Sequence, residues 1–336
     1  MSGILCFRNF LGSAPTWSPT VTDNSSTGTA DANHPASLLI DNRTDTYFRR
    51  TNTQSVILRN TFIMTKSVGM CVCGLIGVES LYTGVPVPVM VRLKVGTTAG
   101  ASDIYDGYRR VLPIFNNSEY QAPQNAFFVI NTMGLGTSES EVTARAIGGS
   151  YYAGIYLEWT LTSVGINTDW TVRETTAWSG FAARVRPSRV YSSTDRGDIQ
   201  LSFGGNEFPA QRGIKQSTIA SLIDFDDKAA RGGQRGVIPS SGAIPICTAN
   251  IKAISRYVGT TRRVVFVPDS NIGTSGYTTI DDTTGRDWDA DYAAQSEIVY
   301  GYLRDPLSAR EVSRIDADSS YWETEFSVIE AFNGLS

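Results

Sequence analysis

The sequence feature that most constrains the fold is a period-two alternation of apolar and polar residues in the first half of the chain. Every second residue is apolar in the segments 89–95 and 155–161. Because successive side chains of a β-strand point to opposite faces, this pattern predicts strands that bury one face. Shorter apolar runs at 55–59, 68–78 and 126–130 predict further buried strands.

The gaps between these segments are rich in turn-forming residues. Gly, Pro, Asn and Ser separate the apolar runs, and no segment before residue 190 predicts a helix longer than a turn or two. Charged residues make up 18% of the chain, which is below the usual quarter, so Ser, Thr, Asn and Gly must supply much of the polar surface. We therefore predict an antiparallel β-sandwich of the jelly-roll type over residues 1–190.

A helical pattern first becomes clear in the segment 248–260. Apolar residues recur there at Ile251, Ile254 and Val258, which is the spacing of one helix face. Thr248 can cap the helix at its start, and Gly259 stands where a terminating glycine is expected.

The remainder of the second half again predicts strands. The segment 216–233 mixes strand and helix signals. Alternating or apolar runs predict four more strands, at 198–203, 262–269, 296–303 and 323–332. With the helix at 248–260, they predict a smaller α+β domain over residues 191–336, and the domain boundary lies near residue 190.

Charge and glycine patterns argue against nucleotide and nucleic-acid ligands. The chain has a net charge of −4, whereas a general nucleic-acid binder needs a basic surface. The glycine-rich strings at 134–140 and 231–236 lack the strand–turn–helix setting and the Lys-Ser/Thr ending of a P-loop. We therefore predict no nucleic-acid partner and no cofactor.

The N-terminal segment and the apolar runs bear on cellular location. Residues 1–15 lack the charged start and the long apolar stretch of a signal peptide. No run reaches the roughly 18 apolar residues of a membrane span. We expect a soluble protein that is made in the cytoplasm of its host and is not inserted into a membrane.

Four cysteines are the candidate thiols for a metal site or a disulfide. Cys71 and Cys73 alternate within an apolar run, so they share one face of a strand. This pair lacks the second pair or the nearby histidines that a zinc site requires. We interpret Cys6, Cys71, Cys73 and Cys247 as buried, reduced thiols, and we predict no metal.

The single histidine, His34, limits histidine-based catalysis. Any Ser-His-Asp or Cys-His site would have to use it, and the chain contains no GxSxG elbow to present a serine. Pro35 follows His34 directly, which favours an extended or turn conformation. We interpret His34 as a loop residue that caps or packs.

Acidic clusters are the other candidates for chemistry. Asp287, Asp289 and Asp291 have the spacing of a calcium-binding EF-hand loop, but Tyr292 and Ile298 occupy the positions of the required glycine and glutamate. A surface loop is the better interpretation, and a looser calcium site is the alternative. A glycan hydrolase would need two facing carboxylates, which no spacing in the sequence identifies. We predict that the protein is not an enzyme.

Aromatic side chains are candidate platforms for sugars. Trp159 lies in an alternating strand and is interpreted as a core residue. Trp170 and Trp178 lie in a turn-rich stretch and are therefore the better candidates for exposure and glycan binding. Packing between domains is the alternative role for both.

The stretch HPASLLIDNRTDTYF, residues 34–48, resembles the early signature of discoidin-like jelly rolls, which have the galactose-binding fold. In this stretch Leu38, Leu39 and Ile40 are expected to anchor a short helical turn to the sandwich. Asp41 and Asp45 are expected to tie the following turn by side-chain-to-backbone bonds, and Tyr47 or Phe48 plugs the end of the sandwich. Phe48 stands where tryptophan is common in that family. Some members bind calcium in this turn and some bind sugars at the opposite loops, and calcium at Asp41 and Asp45 is left open.

The second half resembles the C-terminal part of tailed-bacteriophage structural proteins. The similarity lies in the order of elements: the segment FGGNEFPAQRGIKQSTIASL, then a helix, YVGTTRRVVFVPD, VYGYL and a final TEFSVIEAF. It implies a component of a phage tail or baseplate in the virion.

The predicted function combines these two resemblances. We expect a non-enzymatic structural protein of a tail or baseplate, which assembles with its own copies and with neighbouring virion tail proteins into a symmetric ring. The chain has 24 Arg against five Lys, and arginine is favoured at interfaces. The alternative is a carbohydrate-binding module that recognises a glycan on the host surface.

Overall fold

The computed structural model describes residues 2–12, 18–43, 45–62, 72–111, 124–130, 155–163, 165–186, 190–195, 198–201, 207–210, 214–225, 251–268, 298–314 and 320–331. These residues form a mainly β structure with one short α-helix, which confirms the prediction of a mainly β chain. The two segments with the clearest alternation form long strands whose alternate side chains are buried.

Six antiparallel strands close into a barrel that draws on the start, the middle and the end of the chain. With strands numbered in chain order, they are β1 (Ser2–Asn9), β13 (Glu174–Val185), β17 (Ile214–Phe225), β18 (Arg263–Val267), β19 (Val299–Leu303) and β21 (Ser320–Glu330). Around the barrel the order is β1, β13, β17, β21, β19 and β18, and β18 pairs again with β1.

The barrel is continuous with a longer sheet. Beyond β13 follow β6 (Val72–Tyr82), β12 (Thr168–Val172), β4 (Phe48–Thr53) and β3 (Thr29–Ala30). Two strands add to β6, namely β7 (Val85–Pro86) and β10 (Gln124–Val129). Two more add to the barrel, namely β14 (Val190–Asp195) on β17 and β20 (Arg310–Arg314) on β21.

A second antiparallel sheet packs against the long one. Its order is β2 (Thr20–Asp23), β5 (Ser55–Phe62), β11 (Ile155–Ser163), β8 (Val89–Gly96) and β9 (Tyr105–Val111). The ring of Trp159 on β11 contacts the ring of Phe128 on β10 at a centroid distance of 5.8 Å. Separately, β15 (Asp198–Leu201) and β16 (Glu207–Ala210) form a two-stranded ladder.

A buried polar chain crosses the core between the two sheets. Trp159 Nε1 donates to Asn60 Oδ1 at 2.9 Å, and Asn60 Nδ2 donates to Thr175 Oγ1 at 3.0 Å. All three side chains are fully buried. Because buried polar groups are costly without partners, this row of hydrogen bonds fixes how the two sheets face each other.

The predicted helix is confirmed as α1 (Ile251–Val258). Ile251, Ile254 and Val258 are each 1% exposed and lie in the main core, and Gly259 ends the helix with a φ of +55°. A positive φ is the conformation that favours glycine at this position. Within the described ranges, no helix is long and apolar enough to cross a membrane.

No α+β domain is seen in the described part of residues 191–336, so that prediction is wrong. The strands of this region close a barrel with β1 and β13, and α1 is the one described α-helix. The ambiguous segment at 216–233 lies in strand β17 as far as Phe225, since Ala220 and Leu222 alternate into the core. The division predicted near residue 190 falls at the start of β14, and the barrel contains strands from both sides of it.

Some sequence predictions concern residues outside the described ranges. They are Thr248, Cys71, Cys247, the acidic residues Asp287, Asp289 and Asp291, and the glycine-rich strings at 134–140 and 231–236. The other two cysteines, Cys6 and Cys73, are both buried.

Candidate functional site

The turn predicted from residues 34–48 has the expected local structure. Residues Ala36–Ile40 form a single turn of 3-10 helix, and Leu39 is fully buried in the core. Asp41 Oδ1 accepts from the backbone N–H of Arg43 at 2.9 Å, and Asp41 Oδ2 accepts from Thr46 Oγ1 at 2.8 Å. The side-chain-to-backbone bond predicted for Asp41 is therefore confirmed.

Asp45 contributes to the same turn in a different way. Its two oxygens accept from Arg43 Nε at 3.0 Å and Nη2 at 2.6 Å, so it holds the guanidinium of Arg43. This hydrogen bond lowers the pKa of Asp45 to about 2. Among the described residues no group of three or more His, Cys, Asp or Glu side chains could hold a metal ion. Calcium at Asp41 and Asp45 stays a prediction.

His34 packs against neighbouring side chains, in agreement with its interpretation as a loop residue that caps or packs. Its Nδ1 lies 2.9 Å from Asp31 Oδ2, and its ring stacks on Tyr47 at a centroid distance of 4.2 Å. Phe48, the next residue, is 1% exposed and lies in the core, as the resemblance implied.

The expectation that Trp170 and Trp178 are exposed is wrong. Their exposed fractions are 0% and 2%. Trp170 lies on β12, where alternate residues point into the core, and its Nε1 donates to the carbonyl of Thr53 at 2.8 Å. Trp178 contacts the ring of Tyr300 edge-on at 6.2 Å. Neither ring presents a face on which a sugar could stack.

The most unusual chemistry of the described chain is a buried cluster of Glu174, Arg263 and Tyr300, called the junction cluster below. Glu174 Oε2 accepts from Arg263 Nη1 at 2.6 Å and from Tyr300 Oη at 2.7 Å. Arg263 Nη1 also lies 2.7 Å from Tyr300 Oη. Glu174 begins β13, Arg263 begins β18 and Tyr300 lies on β19, so three barrel strands meet at one carboxylate oxygen.

The junction cluster also reaches the turn after the 3-10 helix. Arg263 Nη2 donates to the carbonyl of Asn42 at 2.7 Å, and Asn42 holds a φ of +66°. Left-handed backbone is uncommon except for glycine, asparagine and aspartate, so asparagine is a suitable residue here. The arginine therefore joins the barrel to the segment that resembles the discoidin signature.

Burial dominates the electrostatics of the junction cluster. Glu174 and Tyr300 are each 1% exposed. Burial raises the pKa of Glu174 to about 7, although the charge of Arg263 and the hydrogen bond from Tyr300 act against that rise. Burial likewise raises the pKa of Tyr300 well above its ordinary value.

A carboxyl group with a raised pKa is a common feature of catalytic sites. The Glu174 carboxylate is buried away from solvent, and its Oε2 atom already accepts two hydrogen bonds from neighbouring strands. A buried ion pair of this kind is weak evidence of net stability, and in some proteins such pairs fix one arrangement of the fold. The geometry supports a structural role, in which the cluster holds β13, β18 and β19 in one arrangement.

A second candidate site is an apolar surface on the outside of the barrel. Four consecutive paired strands, β14, β17, β21 and β20, each carry at least one exposed large hydrophobic residue, and we call this surface the barrel wall. The residues are Val190, Ile219, Val312 and Tyr321, which are 55%, 37%, 56% and 44% exposed. Val190 and Ile219 are cross-strand neighbours.

Comparison with known proteins adds no family. No protein-family model matches the chain, and no curated protein matches it as a relative. The resemblances to discoidin-like jelly rolls and to phage structural proteins therefore stay predictions.

Sequence reasoning missed both the junction cluster and the barrel wall. Glu174 lies 89 residues from Arg263 and 126 residues from Tyr300, so no spacing motif links them. The one available signal was Glu174 itself, an acid at the start of a long strand. The barrel wall depends on which strands pair, and a period-two pattern does not contain that information.

Proposed function

We propose that the protein is a non-enzymatic structural component of a phage tail or baseplate, which assembles through protein–protein interfaces into a symmetric ring. The observation that carries this proposal is the barrel wall. Exposed apolar side chains that lie together are a common mark of an interaction site. The barrel wall contains two such pairs, Val190 with Ile219 and Val312 with Tyr321. Ile219 pairs with Ser327 and Tyr321 with Ser313, so the two pairs are six residues apart along β21. The partners are other copies of the chain and neighbouring tail proteins, and the protein is located in the virion tail.

The edge of the barrel wall supports assembly in particular. Val190 starts β14, and within the described residues no strand pairs with the other side of β14. Complete burial of one Val or Ile side chain contributes about 1.5–3 kcal/mol. The three Val and Ile side chains of the barrel wall, together with Tyr321, can therefore supply the apolar part of an interface, while surrounding polar groups set its geometry.

The junction cluster fits the same proposal. A subunit of a symmetric ring must present its surfaces at fixed relative positions, because an error in orientation prevents the ring from closing. Glu174, Arg263 and Asn42 tie the barrel to the turn beside the two packed sheets. We propose that these sheets are a discoidin-like jelly roll which the junction cluster holds rigidly on the assembling barrel.

The alternative function is a carbohydrate-binding module, and neither of the two side chains suggested for it is accessible to a sugar. Trp170 and Trp178 are buried, and each packs within a hydrophobic core cluster. We do not propose that function.

The proposal is tested by sedimentation velocity over a range of protein concentrations. We expect the native chain to form a discrete oligomer, and Val190→Asp to shift it to monomer because a charge then replaces an apolar side chain in the Val190–Ile219 pair of the barrel wall. Val85→Asp is the matched control, since Val85 is 56% exposed but lies on β7, outside the barrel wall. A native chain that stays monomeric at all concentrations, and is absent from particles, would contradict the proposal.

A further inference from the structure

A cluster of cations surrounds one exposed aromatic ring at the end of α1. Tyr257 is 38% exposed, and the guanidinium carbons of Arg262 and Arg8 lie 4.0 and 5.4 Å from its ring centroid. Arg256 directly precedes Tyr257 in the chain, and Lys252 lies one helical turn before Arg256 on the same face of the helix. We call these five residues the basic patch.

The local structure of β1 helps to build the basic patch. The pairing of β1 with β13 shifts register between Cys6 and Arg8, as in a β-bulge. Cys6 and Phe7 are both buried, whereas Arg8 is half-buried and lies beside Tyr257. Bulges often redirect a side chain in this way, and here the bulge adds a cation from the barrel to those of the helix.

The four cations of the basic patch make no ion pair with any residue that the structure describes. Arg92 on the second sheet is a contrast, because it pairs with Asp106. Lys252 and Arg256 also place like charges one helical turn apart, which destabilises a helix slightly. The clustered positive charge therefore has a cost, and an anionic partner would offset it.

Arg262 is oriented in a way that suits a carboxylate. Its guanidinium lies 4.0 Å from the ring centroid of Tyr257, within the range of a cation–π contact, and the side chain is exposed. A guanidinium that lies over a ring keeps its N–H edge available. Because that edge is a planar fork, it can bind one carboxylate through two parallel hydrogen bonds.

Two other anionic partners fit the basic patch less well. A single-stranded nucleic acid stacks its bases on free aromatic faces, but Arg262 lies over the ring of Tyr257, and the net charge of −4 repels a long polyanion. A helix that binds a lipid surface inserts apolar side chains, but the exposed residues that follow α1 are Thr260 and Thr261. A short acidic segment of a protein has neither requirement.

We propose that the basic patch binds an acidic peptide segment of a neighbouring protein, whose carboxylates pair with Arg262, Arg256 and Lys252. This inference goes beyond the proposed function, which concerns the barrel wall. Tyr257 contacts Phe7 of β1, whereas the barrel wall includes β21, and these strands are three strands apart in either direction around the barrel. A peptide on the basic patch therefore leaves the barrel wall free for self-assembly.

The test is isothermal titration calorimetry of the native chain with an oligoglutamate peptide, with oligoglutamine of the same length as the uncharged control. We expect oligoglutamate alone to bind. Arg256→Glu should weaken this binding roughly tenfold or more, because it places like charges in contact. Arg49→Glu is the matched control variant. The side chain of Arg49 is 42% exposed but lies on β4, remote from α1 in the strand order, so the change should alter the affinity little.

Arg262→Lys tests the geometry of the site separately from its charge. The variant keeps the positive charge but removes the planar fork, so we expect oligoglutamate to bind several-fold more weakly. Native affinity in Arg262→Lys or in Arg256→Glu would overturn the proposal.

Parallel titrations with oligothymidylate and with phosphatidylglycerol vesicles test the class of partner. If either binds more tightly than oligoglutamate at the same ionic strength, and Arg256→Glu abolishes that binding, the proposal is overturned. Val190→Asp separates the inference from the proposed function, because this variant of the barrel wall should bind oligoglutamate with native affinity whether or not the native chain assembles. Loss of oligoglutamate binding in Val190→Asp would contradict the independence of the two surfaces and overturn the inference.

Discussion

Arg263 donates from its Nη1 atom to Glu174 Oε2 at 2.6 Å, across strands that lie far apart in the sequence. The same guanidinium donates to the carbonyl of Asn42. One side chain thus connects the barrel strands β13 and β18 with the turn that follows the 3-10 helix. The first two predictions concern this arginine and its carboxylate.

Glu174 should make the stability of the protein fall as the pH rises through neutrality. Burial raises its folded pKa from 4.5 to about 7, so between these values the folded state binds more protons than the unfolded state. The stabilisation is complete below pH 4.5 and is lost as the pH passes 7. Glu174→Gln removes this dependence. From pH 4.5 to pH 8, the free energy of unfolding of the variant should therefore rise by on the order of 3 kcal/mol relative to that of the native chain.

Urea unfolding at pH 5 and pH 8 measures this difference. Glu325→Gln is the matched control for the same chemical change, because Glu325 is exposed and lies outside the junction cluster. If the free energies of unfolding of Glu174→Gln and the native chain differ by the same amount at pH 5 and pH 8, the raised pKa of Glu174 is contradicted.

Removal of Arg263 should be costly, because it leaves a buried carboxylate without its cation. We expect Arg263→Ala to lower the free energy of unfolding by about 3–5 kcal/mol at pH 8. In a Glu174→Gln background the same substitution should cost distinctly less, since no buried charge is then left behind. A double-mutant cycle by urea unfolding checks this, and strict additivity of the two changes would show that the residues are not coupled.

Gly301 should be required for closure of the barrel between β19 and β21. A Cβ atom at this position would lie 1.9 Å from the backbone oxygen of Ile329, so Gly301→Ala must push the two strands apart. We expect a loss of about 1–3 kcal/mol or more. Gly259→Ala is the comparison, because a Cβ there meets open space and only the positive φ is unfavourable. Thermal melting should show the larger loss at Gly301, and a larger loss at Gly259 would contradict the barrel pairing.

Trp170 should behave as a core residue. Its truncation to alanine removes a fully buried indole and the hydrogen bond to Thr53, which should cost about 3–5 kcal/mol. Chemical unfolding measures the loss. A stable Trp170→Ala variant that had lost affinity for a glycan would instead support the binding role that was first expected for this residue.

Local patterns predict the helix and nine of the 21 described strands. The alternation at 89–95 and 155–161 lies within single strands, and the stripe of Ile251, Ile254 and Val258 lies within one helix. These features need no knowledge of distant residues, because one strand or helix determines which of its side chains share a face.

Features that depend on distant residues were not predicted. Pairing of β1 with β18 joins Leu5 to Phe266 and closes the barrel, but neither strand indicates its partner. The turn-rich surroundings of Trp170 favour exposure, whereas the short strand β12 buries it. For the candidate sites, sequence reasoning found the turn at Asp41, and it missed the junction cluster and the barrel wall.

Negative-stain electron microscopy of the purified native chain tests the central claim most directly. If the chain assembles through the barrel wall, the images should show closed rings of uniform size, and a matched sample of Val190→Asp should show single subunits. Single subunits in the native sample, at concentrations where sedimentation also detects no oligomer, would contradict the account.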